Sequence, residues 1–188
     1  IEDVSDEAAR AQLEVNLIAP ARIARLVLPA MRQRRDGRII NISSVSGRVT
    51  LPFVGWYAAS KRGLEGVTDA LRIELARFGV RVVLIQPGSY GTAIWQRGLQ
   101  LLPDRAGSAY KQSYDLAGEV MSRASGLGPP TPVVKAVRKA LAGLERDGLV
   151  SGRLMGRTRV VQLDPSYFAR EELMAYLASS SVSSSILL

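Results

Sequence analysis

Hydrophobic positions recur in two different periods along this sequence, and they separate helices from strands. From Ser5, a residue suited to capping a helix with Asp6 and Glu7 in its first turn, apolar residues recur at Leu13, Leu17, Ala21, Ala24 and Leu28, widened by Val15 and Ile18. This is one face of a long helix over about residues 6–30. Pro20 predicts a kink, and Pro29 predicts a loosened end. Leu64, Val67, Leu71, Leu75 and Phe78 trace a second helical face over 57–78, which Gly79 stops. Gly63 and Gly66 lower the propensity of that helix but allow close packing. A third amphipathic helix carries Val133, Val137, Ala140 and Leu144, with Pro132 in its first turn and Thr131 as its cap.

Between the helices lie short apolar runs without helical period. Asp36-Gly37 reads as a turn, and Arg38-Ile39-Ile40-Asn41-Ile42 as a strand buried on both faces. Arg81-Val82-Val83-Leu84-Ile85, closed by Pro87-Gly88, is a second such strand. Strand, helix, strand in that order predicts a right-handed parallel crossover. A third strand is weakly signalled from Leu149-Val150 to Leu154-Met155. The stretch 93–132 differs in texture, with Trp95, Tyr110, Tyr114 and a Gly-Leu-Gly-Pro-Pro segment. It reads as short helical pieces over a pocket, a lid. Gly126 and Gly128 precede two prolines, so they cannot open a phosphate-cradling helix. Residues 1–165 read as one domain. A short helix and a serine-rich, disordered tail are expected over 166–188.

Composition narrows the chemistry. The 188 residues contain neither cysteine nor histidine. Disulfides, thiolate nucleophiles, His-based triads and most transition-metal sites are therefore excluded, and no metal site is expected. Proton transfer is left to Tyr, Lys, Asp or Glu. The net charge of +8 raises nucleic acid as a partner, but the basic residues are dispersed. Their densest cluster, Arg32, Arg34, Arg35 and Arg38, falls at a helix end, where cations complement the dipole. No basic run is interleaved with aromatics, so no nucleic-acid role is expected, and the charge suits anionic cofactors equally well. No apolar run spans a bilayer and no charged-then-apolar leader is present, so the expected location is the cytoplasm.

Candidate chemistry gathers in few places. Tyr57 and Lys61 are four residues apart, hence one turn apart on one helical face. An ammonium beside a phenol favours the phenolate and suits the phenol to proton transfer near neutral pH. By itself the pair also reads as an ordinary helix start. Asn16 lies mid-helix among apolar neighbours, either as a satisfied polar plug or as a placed site residue. Ser43-Ser44-Val45-Ser46-Gly47 follows the first strand, where ligands bind in open α/β sheets, although serine-rich loops are common.

Taken together, Asn16, Ile39 to Gly47, Tyr57-Ala58-Ala59-Ser60-Lys61, Leu71-Arg72-Ile73-Glu74-Leu75 and Pro87-Gly88-Ser89-Tyr90-Gly91-Thr92 resemble the short-chain dehydrogenase/reductase family. The serine 13 residues before Tyr57 and the Pro-Gly-x-x-x-Thr turn make the likeness specific. The resemblance implies part of a Rossmann-like, doubly wound parallel α/β sheet with flanking helices. It implies an NAD(P)-dependent oxidoreductase, using NAD or NADP, that interconverts a secondary alcohol and a ketone. Tyr57 would be the acid/base, and Lys61 would tune it and hold the nicotinamide ribose. Ser44 would bind the substrate oxygen, with Ser43 as the alternative, and Asn16 would anchor a water relay to Lys61. Pro87, Gly88 and Thr92 would line the nicotinamide, with backbone groups around Tyr90 sharing that role.

In this family a strand and a Gly-x-x-x-Gly-x-Gly turn open the fold and meet the pyrophosphate. The sequence contains no such turn. The resemblance is therefore to a C-terminal portion, with half of a cofactor site, weak dinucleotide binding, no turnover by this stretch alone, and one side of the 39–42 strand exposed. The apolar, aromatic lid implies a lipophilic or ring-bearing substrate. The family likeness further implies homo-oligomers through helices 6–30 and 57–78. The competing expectation is a non-catalytic remnant acting through that helical interface.

Overall fold

The computed structural model describes residues 1–101, 107–142, 153–155 and 158–161. The expected tail over 166–188 lies outside them, as do Leu144, Leu149 and Val150. Helix α1 (Asp6–Leu13) starts as read: the Ser5 hydroxyl accepts the Ala8 N–H at 3.2 Å. A π-helical turn, Glu14–Ile18, links it to α2 (Ala19–Arg34). The kink expected at Pro20 takes this form. Pro20 has no N–H to offer the Asn16 carbonyl, and the Ala19 N–H reaches back five residues to Glu14. Pro29 does not loosen the helix end; α2 continues to Arg34. Pro29 and Arg25 are both exposed, so the carbonyl that Pro29 cannot serve is open to water.

Strand β1 (Gly37–Ile42) pairs in parallel with β2 (Val80–Gln86), Ile39 opposite Val82 and Ile42 opposite Ile85. Between them run the 3-10 turn Val45–Gly47, helix α3 (Gly55–Leu75) and a second 3-10 turn, Ala76–Phe78. Helices α4 (Ala93–Leu101), α5 (Lys111–Ser125) and α6 (Thr131–Ala142) follow. The weak third strand is a hairpin of β3 (Arg153–Met155) and β4 (Thr158–Val161), and β4 joins β2 antiparallel. The order β1-β2-β4-β3 leaves β1 with one neighbour among the described residues. Ile42 is exposed there, as the resemblance implied.

The alternation of β2 explains the layers. Val80 and Val82 pack with Leu75, Leu28, Met31, Ile39 and Phe78, the side of α2 and α3. Val83 and Ile85 pack on Ala136 with Ile40, Val133 and Val137, the side of α6. Both faces of β2 are therefore covered by helices, as its continuous apolar run implied, whereas β1, expected to be buried, is only half-buried along its length because it has a neighbour on one side alone among the described residues. This is the α/β, partial Rossmann-like arrangement.

Of the two α3 glycines read as allowing close packing, only one does so. A Cβ on Gly63 would lie 2.9 Å from Leu17, so close packing holds there, but around Gly66 nothing lies within 4 Å. Gly79, by contrast, has φ of +71°, and a Cβ on it would lie 2.3 Å from the Arg35 carbonyl. Gly66→Ala should stabilise the fold by about 0.5–1 kcal/mol through helix propensity. Gly79→Ala should destabilise it by more than about 1 kcal/mol. Urea denaturation of the two variants checks both signs.

Candidate active site

The parallel ladder continues past its strands. The Ser43 N–H donates to Ile85 (2.8 Å) and the Val45 N–H to Pro87 (2.9 Å), so the loops after β1 and β2 leave the sheet side by side. Ser43 and Ser44 are both buried but differently engaged. The Ser43 hydroxyl donates to Glu65 Oε1 at 2.8 Å. Ser44 is extended and caps the 3-10 turn, its Oγ accepting the Ser46 N–H at 3.1 Å. Among the described residues, no bond uses the proton of the Ser44 hydroxyl.

Helix α3 begins beside these strand ends. The Lys61 Nζ donates to the Ile42 carbonyl at 3.0 Å, which joins the helix to the last residue of β1. The same Nζ lies 5.7 Å from the centroid of the Tyr57 ring. Tyr57 and Lys61 thus share one face, as their spacing required. The ammonium is half-buried, and desolvation pushes its pKa below the ordinary lysine value of 10.5. The Tyr57 phenol is half-buried and makes no hydrogen bond among the described residues. Asn16, in the π turn, donates from Nδ2 to Ser60 Oγ (3.1 Å), and Ser60 donates to the Tyr57 carbonyl at 2.7 Å. Asn16 is therefore tied to the turn of α3 that carries Tyr57 and Lys61.

The residues after β2 form a half-buried loop. Pro87 is tied to the Ser44 turn through Val45. Gly88, Tyr90 and Thr92 lie beyond it. The Trp95 indole donates to the Tyr90 carbonyl at 2.6 Å, and the Trp95 N–H to Thr92 at 3.3 Å. The Gly91 N–H donates to Gly128 at 3.0 Å, and a Cβ on Gly91 would lie 2.0 Å from the Leu127 carbonyl. These backbone bonds at Tyr90, Gly91 and Thr92 run to α4 and to the turn before α6.

Two clusters escaped the sequence reading. Glu65, deeply buried, gathers Ser43, Gln86 and Arg48. Its signal was present: Tyr57, Lys61 and Glu65 succeed each other at intervals of four. The second cluster sits just ahead of α3. The Phe53 ring packs on Tyr114 (centroids 4.4 Å apart) and edge-on to Tyr110 (6.0 Å). Tyr110 donates to Glu2 at 2.8 Å, and that carboxylate raises the pKa of the phenol. Tyr110 and Tyr114 are four residues apart, but no local spacing links either to Phe53 or Glu2.

A parallel strand pair covered by helices on both faces, with serines at the end of one strand and a Tyr/Lys pair on the crossover helix, defines an α/β enzyme-like fold with its polar side chains at the carboxyl edge of the sheet. The chain belongs to the short chain dehydrogenase family, which it matches over residues 1–100. An uncharacterized oxidoreductase, YusZ of Bacillus subtilis, is 42% identical over 116 residues, 61% of this chain and 41% of that protein. Retinol dehydrogenase 16 of Homo sapiens is 37% identical over 124 residues, 59% of this chain and 38% of that protein. The chain thus spans about two-fifths of the length of these curated relatives. Among solved structures, a 3-oxoacyl-[acyl-carrier protein] reductase with bound NAD from Brucella melitensis superposes with a TM-score of 0.55 at 26% identity, covering 74% of this chain and 47% of that one.

The desolvated ammonium gives a stability prediction. Because the folded Lys61 holds its proton less tightly than the unfolded chain does, stability contributed at this position rises with pH between the lowered value and 10.5, and is reduced below that window. The stability of Lys61→Met relative to wild type, whatever the offset from the lost Ile42 bond, should therefore fall between pH 7 and pH 10. Urea titrations at pH 7 and pH 10 compare the two.

Proposed function

We propose that the chain carries the catalytic part of an NAD(P)-dependent oxidoreductase that interconverts a secondary alcohol and a ketone. The observation that carries this reading is the Lys61 ammonium, fixed to the end of β1 and lying over the Tyr57 ring. The two serines support it further. Ser43 gives its proton to Glu65, whereas the Ser44 proton is unused among the described residues, so Ser44 is the better partner for a substrate oxygen. Ser44 and Tyr57 would donate to that oxygen as negative charge develops on it. Tyr57 would pass the proton, and no histidine is needed.

The residues present fit a nicotinamide cofactor, NAD or NADP. Lys61 uses one N–H on Ile42, which leaves two donors for ribose hydroxyls. Asn16, whose carbonyl loses its ordinary helical donor to Pro20, would orient a water toward Lys61. Pro87, Gly88, Thr92 and the backbone at Tyr90 would line the nicotinamide. When bound, that cofactor supplies or accepts the hydride.

The aromatic residues Phe53, Trp95, Tyr110 and Tyr114 support a lid over 93–132 and a lipophilic substrate, a class to which the name of the relative retinol dehydrogenase 16 also points. Among the described residues no helix is long and apolar enough to cross a membrane. Exposed Val15, Ile18, Ile23 and Leu26 on the first helical stretch, with Ile73 on α3, favour a second role, helix-mediated self-association. A non-catalytic remnant would keep that role alone.

The assay belongs to the full-length gene product, with secondary alcohols and ketones of increasing apolar size and with both dinucleotides. Tyr57→Phe should lower kcat by at least about 10²-fold, the scale of a lost general acid/base, with dinucleotide affinity nearly unchanged. Lys61→Ala should weaken dinucleotide binding and move the onset of activity to higher pH. Full turnover by Tyr57→Phe would refute the assignment.

A further inference from the structure

Glu65 is a carboxylate in the interior, and its surroundings are unusually specific. Tyr57, Lys61 and Glu65 lie at successive turns of one face of α3. Among the described residues its ion-pair partner is Arg48 and not Lys61. Oε1 accepts from the Ser43 hydroxyl at 2.8 Å and the Gln86 amide at 2.6 Å, and Oε2 forms the ion pair with Arg48, 3.0 Å from its Nε. Ser43 is the residue after β1, Arg48 follows the 3-10 turn, and Gln86 ends β2. Each of the three segments that border the proposed site therefore sends one side chain to the same carboxylate, two as hydrogen-bond donors and one as an ion pair. Ser43, Gln86 and Glu65 are all buried, whereas Arg48 is mostly exposed, so its ion pair is the weakest of the three links.

The turn is shaped to this contact. A Cβ on Gly47 would lie 2.2 Å from Glu65 Oε1, so any larger residue there would displace the carboxylate from its present place. Arg62, on the same helix, binds the carbonyls of Gly47 (3.1 Å) and Arg48 (3.2 Å) from the other side. An apolar residue at 65 would fill the space but take the carboxylate acceptor from two buried donors, Ser43 and Gln86. The arrangement holds loops as well as filling volume.

We propose that Glu65 is a positioning residue: it sets the Ser43-Ser44, Gly47-Arg48 and Gln86-Pro87 segments in register against the face of α3 that carries Tyr57 and Lys61. It touches no reacting atom. It acts on Ser44 through Ser43 and on Pro87 through Gln86. Its effect on turnover rests on the oxidoreductase reading above, but its effect on the loops does not.

The variants separate the links. Glu65→Ala removes all three. Glu65→Gln can keep its oxygen toward Ser43 and Gln86; its NH2 finds no acceptor in Arg48, but that side chain is exposed and can turn to water, so the two buried bonds should be rescued. In the full-length gene product, amide hydrogen exchange of Glu65→Ala should rise at least about tenfold at Ser43, Val45 and Gly47, the scale of one lost buried bond, while Val82 to Leu84 stay protected. Its kcat should fall at least about tenfold with dinucleotide affinity within about twofold, and Glu65→Gln should stay within about threefold of wild type on every measure. If Glu65→Ala does not fold, Gln86→Met reads the same link from β2 and should raise exchange at the same amides. Exchange that is unchanged, or that rises equally throughout β2, overturns the proposal, as does a Glu65→Gln variant no better than Glu65→Ala. If the local rise occurs but wild type turns over no alcohol or ketone with either dinucleotide, the anchoring role stands and the oxidoreductase reading fails.

Discussion

The parallel pairing of β1 with β2 constrains everything else in this chain. Parallel strands end on the same edge of a sheet, and the connection between them must return across one face. That connection is α3. Its first turns therefore lie beside the ends of both strands, and its last turns beside their beginnings. The bonds from Ser43 to Ile85 and from Val45 to Pro87 carry the ladder beyond the ends of both strands. The loops are held by the same backbone pairing that holds the sheet.

Helix α3 is divided accordingly. Near the strand beginnings it contributes Leu71 and Leu75, with Phe78 beyond, to an apolar cluster with Val80 and Val82. Toward the strand ends its buried residues include Ser60, Glu65 and Thr68. Each of these has a partner: Ser60 with Asn16 and the Tyr57 carbonyl, Glu65 with two donors and an ion pair, and Thr68 with Asn41 at 2.8 Å and Leu64 at 2.6 Å. Interior polar groups of this kind stabilise little in net terms but are expensive to mispair. They fix one relative placement of helix and strands, which an apolar interface would leave freer to repack. Apolar burial at one end supplies cohesion, and hydrogen bonding at the other supplies direction.

What the sequence made legible follows from the range of each interaction. Helices α3 and α6 and strands β1 and β2 were readable because period and turn residues are local signals. Tyr57 and Lys61 were readable as neighbours because a four-residue interval is itself a helical contact. Pro20 signalled a disturbance, but not that it would become a π turn. Pro29 gave the wrong expectation because exposure, which decides whether a missing N–H matters, is tertiary. Glu65 reads as a surface acid between Leu64 and Gly66; its partners at 43, 48 and 86 become neighbours only once β1 and β2 pair. Gly66 was read as a packing glycine like Gly63, and only the position of Leu17 tells them apart.

The aromatic cluster ahead of α3 extends this argument to the segment after β2. Phe53 has φ of +66°, a left-handed conformation that costs a bulky residue about 1–3 kcal/mol. Something must hold it there. Its ring packs on Tyr114 and Tyr110, and such pairs contribute about 0.5–1.5 kcal/mol each beyond the area they bury, enough to offset the strain. Tyr110 is held in turn by Glu2, and Ser108 by Asp3 at 2.7 Å, so the start of the chain clasps the beginning of α5. The backbone that delivers the chain into α3, four residues before Tyr57, is therefore set by contacts made more than fifty residues later. Loosening α5 would relax Phe53 toward ordinary φ and shift the entry to α3. The placement of the Tyr57 turn thus depends on the order of α5 as well as on the sheet beneath it.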